Sequence, residues 1–224
     1  MRDFDSAIYD LRATSERRIG HVSMAVVPSV ATNLLPEIIK TFSTEFPGIN
    51  LHLDDDSSRG VQHRVERNEV DFGIGSMWKP NKVLEFTPLF ADKLQLICHR
   101  DHALAKTTKP VRWDQLNNVT FLDTGVTRTL RTRQDAGESR FDFPNITTLV
   151  AMLRSNLGVS ILPSLAIPTA TSELVSRPLA PAESRNIYLI TRKGWTLSPA
   201  AEAMMDTIIR ETPQQVKSYG LTPL

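Results

Sequence analysis

Short apolar runs rich in β-branched residues alternate along the chain with segments in which apolar residues recur every three or four positions. The first run, residues 21–27, is too short for a helix and predicts a buried strand that ends at Pro28-Ser29. The apolar residues from Leu34 to Phe46 then form the double stripe of an amphipathic helix. Residues 49–53 alternate apolar and polar, so the three elements together predict a β-α-β unit.

The same alternation continues and predicts a second set of strands and helices. After the first unit we predict a helix over residues 61–67 and separate strands over residues 70–75, 85–90 and 93–99. Further strands are predicted at 119–122, 140–143, 159–163, 174–179 and 187–191, and helices at 146–153 and 200–209, the last one ending before Pro213. No flexible linker divides the two sets, which indicates two α/β subdomains joined by crossing strands.

Composition narrows the class of protein. The chain has 224 residues, of which 41% are hydrophobic, enough for a packed core in one large domain or two small ones. Its formal net charge of +1 provides no electrostatic footprint for a phosphate backbone, so DNA binding would need another part of the protein. The longest apolar runs fall far short of the roughly 18 to 20 residues that cross a bilayer, and the first residues are charged, which favours the cytoplasm. The single cysteine, Cys98, excludes an internal disulfide and a cysteine-based zinc site.

Hydroxyl-bearing residues follow the predicted strands, where open parallel sheets bind their ligands. Hydroxyls and backbone N–H groups at helix starts suit a carboxylate or another anion. Ser29, Ser57 and Thr147 are also the residue types that cap helices, so both interpretations stay open for each. For the helix over 146–153, the cap is either Asn145 or Thr147. The glycines of the strand over 70–75 allow either the close approach of another molecule or tight strand packing. Asn156 is predicted to adopt the left-handed conformation that ends the preceding helix.

The sequence offers little for catalysis or metal binding. It contains no nucleophile elbow, phosphate loop or zinc-protease motif, so we expect neither turnover nor a cofactor. Residues 54–56 are three aspartates without the glycine and glutamate of a calcium loop, and His99 and His102 lie at a strand end. We therefore expect no metal. Three arginines either neutralise an acidic effector or form a solvated face: Arg128, Arg131 and Arg133.

Several spaced motifs resemble the effector-binding domain of LysR-type transcriptional regulators. Leu34-Leu35-Pro36 followed by Phe46-Pro47-Gly48-Ile49 is similar to the family's "LLP…F…F/YP-x-I/V" run, and residues 70–74 resemble its "DxGI" strand. Residues 99–105 resemble the "HPLA" turn, and residues 145–163 the "LVAAGLGVALLP" segment. Ala103 stands where the family usually has proline, and Asn156 where it usually has glycine.

The resemblance implies a fold and a site. The fold would be α/β, with two Rossmann-like subdomains joined by crossover strands, as in type II periplasmic binding proteins. Residues 1–18 would end a linker helix, residues 19–92 with 192–224 would form subdomain I, and residues 93–191 subdomain II. The effector would lie in the cleft between subdomains, with contacts from strand exits and helix starts: Ser29, Val30, Ser57, Ser58, Gly75, Ser76, Met77, Thr124, Gly125 and Thr147. Trp78 would add to an apolar wall begun by Met77, or simply pack on the surface.

The implied function is the sensing of a small, anionic metabolite by a transcriptional regulator. Family members form homodimers or homotetramers, and the helix from Leu34 to Phe46 is a candidate contact, although an entirely intramolecular role is the alternative. DNA would be bound only by an N-terminal helix-turn-helix domain that this sequence does not contain, and no membrane partner is expected. The alternative function is a transporter's solute-binding protein, which shares the cleft but works outside the cytoplasm.

Overall fold

The computed structural model describes residues 19–124, 139–168 and 172–224, which form two compact units. Unit 1 runs up to Ala91 and resumes over Asn186–Leu224, whereas unit 2 comprises Asp92–Arg185. The residues expected to form a linker helix, 1–18, lie outside the described residues. No helix in the described part of the chain is long and apolar enough to cross a membrane.

The elements follow one another in mixed α/β order. The strands are β1 (Gly20–Val26), β2 (Ile49–Asp55), β3 (Phe72–Gly75), β4 (Leu84–His99), β5 (Val111–Arg112), β6 (Leu122–Asp123), β7 (Phe141–Asp142), β8 (Val159–Pro163), β9 (Leu174–Arg192) and β10 (Thr222–Pro223). The helices are α1 (Pro28–Asn33), α2 (Leu35–Glu45), α3 (Ser58–Glu66), α4 (Ile146–Arg154) and α5 (Pro199–Ser218). Short 3₁₀ helices span Ala103–Lys106, Trp113–Asn118 and Ser164–Ala166.

Unit 1 is built on a mixed sheet in the order β10-β4-β9-β3-β1-β2. Strand β1 pairs in parallel with β2, from Gly20 opposite Ile49 to Val26 opposite Asp55, and in parallel with β3 on its other side. The β1 side chains from Met24 to Val26 are fully buried, as expected for a strand covered on both faces. The predicted β-α-β unit is therefore confirmed.

Helices α3 and α5 pack on this sheet, and α2 packs on α5. Leu35, Ile38 and Phe42 of α2 are buried, and α5 packs against both α2 and β1. The apolar stripe of α2 is thus used inside the chain. A contact between copies through this helix stays a prediction.

Helix α5 does not end before Pro213, so that prediction is wrong. The helix continues to Ser218, with Pro213 inside it. Proline removes one helical hydrogen bond and crowds the preceding turn. Thr212 and Val216 remain buried on either side of it. Packing of the apolar face on unit 1 therefore outweighs the local break.

Unit 2 has its own core on both sides of β4. Strand β8 pairs antiparallel with β4, from Leu94 opposite Pro163 to Cys98 opposite Val159. One cluster of buried residues includes Leu96, Trp113 and Ile161, and a second gathers around α4. Asn156, just beyond α4, has a φ of 57°, which confirms the predicted left-handed helix end.

The strands predicted separately at 85–90 and 93–99 are one strand, β4, and those at 174–179 and 187–191 are one strand, β9. The chain passes between units within these two strands. Asp92 of β4 and Arg185 of β9 form a buried ion pair, with Nη2 2.9 Å and Nε 3.2 Å from Oδ2. Burial raises the pKa of Asp92, and the charge of Arg185 opposes that effect. The pair lies within residues 91–92 and 180–186, which are outside the strands predicted from the sequence.

Candidate functional site

The carboxyl ends of three parallel strands meet at one edge of unit 1. In the registers of β1 with β2 and β3, Val26 lies opposite Asp55 and Ile74. The ends of these strands and the segments that follow them carry the predicted ligand-binding residues of this unit: Ser29, Val30, Ser57, Ser58, Gly75, Ser76 and Met77. The fold therefore places the three segments at the same edge, where open parallel sheets bind ligands. We call this edge the unit 1 edge.

Ser57 caps helix α3. Its Oγ accepts a hydrogen bond from the Gly60 N–H at 3.2 Å, which satisfies one donor of the first turn. The next residue, Ser58, has a different role, because its Oγ accepts a hydrogen bond from the Ser76 N–H at 3.3 Å. Ser58 thus joins the start of α3 to the segment that leaves β3.

Ser29 does not cap a helix, and neither does Thr147, so the capping interpretation is wrong for both. Val27 occupies the cap position of α1 without a side-chain bond, while Pro28 opens the helix and Ser29 lies buried inside it. Proline fixes the backbone angle of a first helical residue, so no hydroxyl cap is required. Val30 is fully buried, and its N–H donates to the Val27 carbonyl. Ser29, Val30 and Thr147 stay predictions as ligand contacts.

Ser76 differs from the other serines of the edge. Its Oγ is buried and has no hydrogen-bond partner among the described residues. Buried hydroxyls without partners are uncommon because losing the hydrogen bonds of water costs free energy. The next two side chains, Met77 and Trp78, are 42% and 43% exposed. A polar group and an apolar surface therefore follow each other directly at this edge.

Gln62 holds the segment that carries these residues. Its carboxamide is buried and donates from Nε2 to the Lys79 carbonyl at 2.9 Å. Its Oε1 accepts hydrogen bonds from the N–H groups of Trp78 and Lys79, the latter at 3.1 Å. Sequence reasoning missed this residue. The available signal was its spacing of four from Ser58, which puts both side chains on one face of α3.

Two of the three aspartates at the end of β2 form ion pairs with one arginine. Arg64 approaches Asp54 at 3.3 Å and Asp56 at 3.2 Å. The hydrogen bond to Asp56, helped by the charge of Asp54, raises the pKa of Arg64. The other oxygen of Asp56 accepts the Ser57 N–H at 2.7 Å. A β-carbon on Gly60 would lie 2.1 Å from the Asp56 carboxylate, so this contact needs glycine.

The glycines of β3 serve tight packing. A β-carbon on Gly73 would lie 2.5 Å from Cγ1 of Val61, so glycine lets α3 pack directly on the strand. A β-carbon on Gly75 would lie 3.1 Å from Cγ1 of Val27 and 3.7 Å from Oγ of Ser58. Of the two interpretations, packing within the chain explains Gly73. At Gly75, close contact with Ser58 keeps the edge compact.

Unit 2 has a comparable edge of its own. Strands β6 and β7 are parallel, with Leu122 opposite Phe141, and Thr124 follows β6 as a buried residue. Asn145 follows β7 and caps α4 through bonds from the N–H groups of Thr147 and Thr148. Thr147 is exposed in the first turn. Gly125 and the three candidate arginines lie outside the described residues.

A family model described as the LysR substrate binding domain matches residues 15–213. The chain is also 30% identical over 221 residues to "Uncharacterized HTH-type transcriptional regulator YbhD" of Escherichia coli (strain K12), covering 93% of this chain and 69% of YbhD. The chain belongs to the LysR substrate-binding domain family. The motif-based resemblance is thereby confirmed, and the chain is the effector-binding domain of a LysR-type transcriptional regulator rather than a transporter's solute-binding protein.

Solved structures support the fold of this LysR substrate-binding domain. The effector-binding domain of QuiR in complex with shikimate aligns with a TM-score of 0.76 and 18% identity, covering 88% of this chain and 98% of that one. The Synechocystis PCC6803 CcmR regulatory domain in complex with 2-PG aligns with a TM-score of 0.78 and 22% identity, covering 86% and 97%. The predicted α/β architecture of the periplasmic-binding-protein type is confirmed by these likenesses.

Proposed function

We propose that this LysR substrate-binding domain recognises a small anionic metabolite at the unit 1 edge. The observation that carries the proposal is the buried Ser76 hydroxyl, which has no hydrogen-bond partner among the described residues. An anionic oxygen would supply the missing acceptor. The start of α3 lies beside it, linked through Ser58 to the Ser76 N–H. Helix N-termini favour anions through their unpaired N–H groups and the helix dipole.

The neighbouring apolar side chains extend the proposal to the body of the metabolite. Met77 and Trp78 are each exposed by more than two fifths, directly after Ser76. A small acid with an apolar or cyclic body could place its anionic group at Ser76 and its body against Met77 and Trp78. QuiR and CcmR were solved with shikimate and 2-PG, and both compounds are suitable first probes here.

In the intact regulator, occupancy of this site would control a DNA-binding helix-turn-helix domain of the kind that family members carry. The effector can shift such an equilibrium only by the difference between its affinities for the two states. We further propose that the regulator works as a homodimer or homotetramer in the cytoplasm and has no catalytic turnover.

A thermal-shift screen with small carboxylates and phosphorylated acids tests the proposal. A ligand at 100 times its Kd adds about 2.7 kcal/mol to the folded state. We expect Ser76→Ala to weaken binding of a hit by about 1 to 3 kcal/mol. Without ligand, the same variant should be as stable as the wild type or more so, because it removes a buried hydroxyl that has no partner among the described residues. Weaker binding combined with unchanged or higher stability would show that Ser76 acts on the ligand and not on folding.

Two further variants complete the design. Thr124→Ala tests separately whether unit 2 contributes to affinity, as the sequence predicts. Ser43→Ala is the matched control, because Ser43 is exposed on α2 and donates only to the Ile39 carbonyl among the described residues. If a hit binds Ser76→Ala and Ser43→Ala with equal affinity, the effector does not bind at the unit 1 edge.

A further inference from the structure

We propose that Gln62 is a positioning residue of the effector site, which holds the segment from Ser76 to Lys79 in its binding conformation. This inference rests on the proposed function, since the segment carries the residues assigned to the effector. Gln62 itself is buried and is not expected to touch the ligand.

The contacts of Gln62 use every polar atom of its carboxamide. Nε2 donates to the Lys79 carbonyl at 2.9 Å, and Oε1 accepts from the N–H groups of Trp78 and Lys79. The backbone of this segment is therefore fixed by a side chain that is both donor and acceptor. A methionine of similar length would lose all of these hydrogen bonds, and a glutamate would lose the donor.

Two residues on one face of α3 bind the backbone of the segment from Ser76 to Lys79. Ser58 and Gln62 lie four positions apart on α3, so their side chains follow each other along the helix. Ser58 accepts the Ser76 N–H, while Gln62 binds Trp78 and Lys79. The helix thus holds both ends of a short segment whose middle, Met77, is left exposed.

This arrangement has a consequence for selectivity. Trp78 has its backbone fixed by Gln62 while its side chain is 43% exposed. A fixed aromatic surface binds a matching ligand with less loss of conformational entropy than a mobile one. Gln62 would therefore set the affinity for the apolar part of the effector without contacting it.

The first test needs no ligand. In a Trp195→Phe background the remaining tryptophans are Trp78, which is half-exposed, and Trp113, which is buried. We expect Gln62→Met to raise the iodide quenching of Trp78 and to lower its fluorescence anisotropy under native conditions. Gln62→Glu should give an intermediate result, because it keeps the acceptor oxygen. A residue needed only for stability would lower the urea midpoint and leave native quenching unchanged.

The second test measures binding of shikimate and benzoate by calorimetry. Each probe that binds the wild type should bind Gln62→Met about tenfold more weakly. Gln95→Met is the matched control, because Gln95 also donates from a part-buried carboxamide, but to Ser164 in unit 2. Unchanged quenching and unchanged affinity in Gln62→Met would overturn the role of Gln62. A wild type that binds no small acid would instead count against the proposed function, while the quenching result would still decide the role of Gln62.

Discussion

The buried pair of Asp92 and Arg185 gives a prediction whose size follows from the structure. Asp92 is fully buried, and the Arg185 side chain is only 10% exposed. Two hydrogen bonds from the guanidinium reach Oδ2, and the Leu165 N–H reaches Oδ1 at 3.3 Å. Removing one partner of a buried ion pair typically costs about 3 to 5 kcal/mol, because the other charge stays buried. We expect Asp92→Ala to destabilise unit 2 by this amount.

Urea denaturation followed by tryptophan fluorescence measures the loss. The chain has three tryptophans, and Trp113 lies buried in the core of unit 2. With Trp78→Phe and Trp195→Phe, fluorescence reports the unfolding of unit 2 alone. The midpoint should fall at an unchanged slope, which identifies a change in stability.

Two controls separate the ion pair from general effects of substitution. The double variant Asp92→Leu/Arg185→Met should be far more stable than Asp92→Ala, because it leaves no unpaired buried charge. The cost of dehydrating both charges already offsets much of their attraction in the wild type. Asp114→Ala removes an exposed pairing with Arg112 and should change the midpoint little. A loss below about 1 kcal/mol for Asp92→Ala would refute the reasoning, since it would mean that Arg185 is readily rehydrated.

Two further predictions concern local contacts. Burial lowers the pKa of His102, whose Nδ1 accepts the Leu104 N–H, so the folded state binds a proton less readily than the unfolded state. The stability that neutral His102 contributes should be complete above the ordinary pKa of 6.5 and lost as the pH falls below it. Asparagine also caps helices but does not titrate, so the urea midpoint of His102→Asn should change less between pH 7 and pH 5 than that of the wild type. Gly60→Ala should destabilise unit 1 by about 1 to 3 kcal/mol, because its β-carbon displaces the Asp56 carboxylate. The same substitution in an Asp56→Ala background should cost much less in thermal melts, and equal costs in both backgrounds would contradict the steric explanation.

Local pattern was sufficient to predict much of the fold. The run over 21–27 and the double stripe from Leu34 to Phe46 correspond to β1 and α2, because a strand and a helix each bury a face with its own period. Asn156 could be predicted as a left-handed helix end because its short side chain tolerates that conformation. Each of these inferences depends on residues close together in sequence.

The errors share a physical cause, which is compensation by a residue far away in sequence. Residues 91–92 and 180–186 were left outside the predicted strands, yet Asp92 and Arg185 within them neutralise each other across 93 positions. Pro213 looked like a helix end, but burial of Val216 beyond it keeps α5 continuous. Gln62 is one polar residue among several in α3, and its role depends on where the chain returns after β3.

Because unit 2 interrupts unit 1 in the sequence, the two have different positions in the order of synthesis. All residues of unit 2 have been translated once Arg185 is added. Unit 1 then still lacks residues 186–192 of β9 and helix α5, which covers β1 and α2. On the ribosome, the inserted unit can therefore finish its core first, while the β-α-β segment translated before it waits, with apolar surface uncovered, for the last helix to emerge.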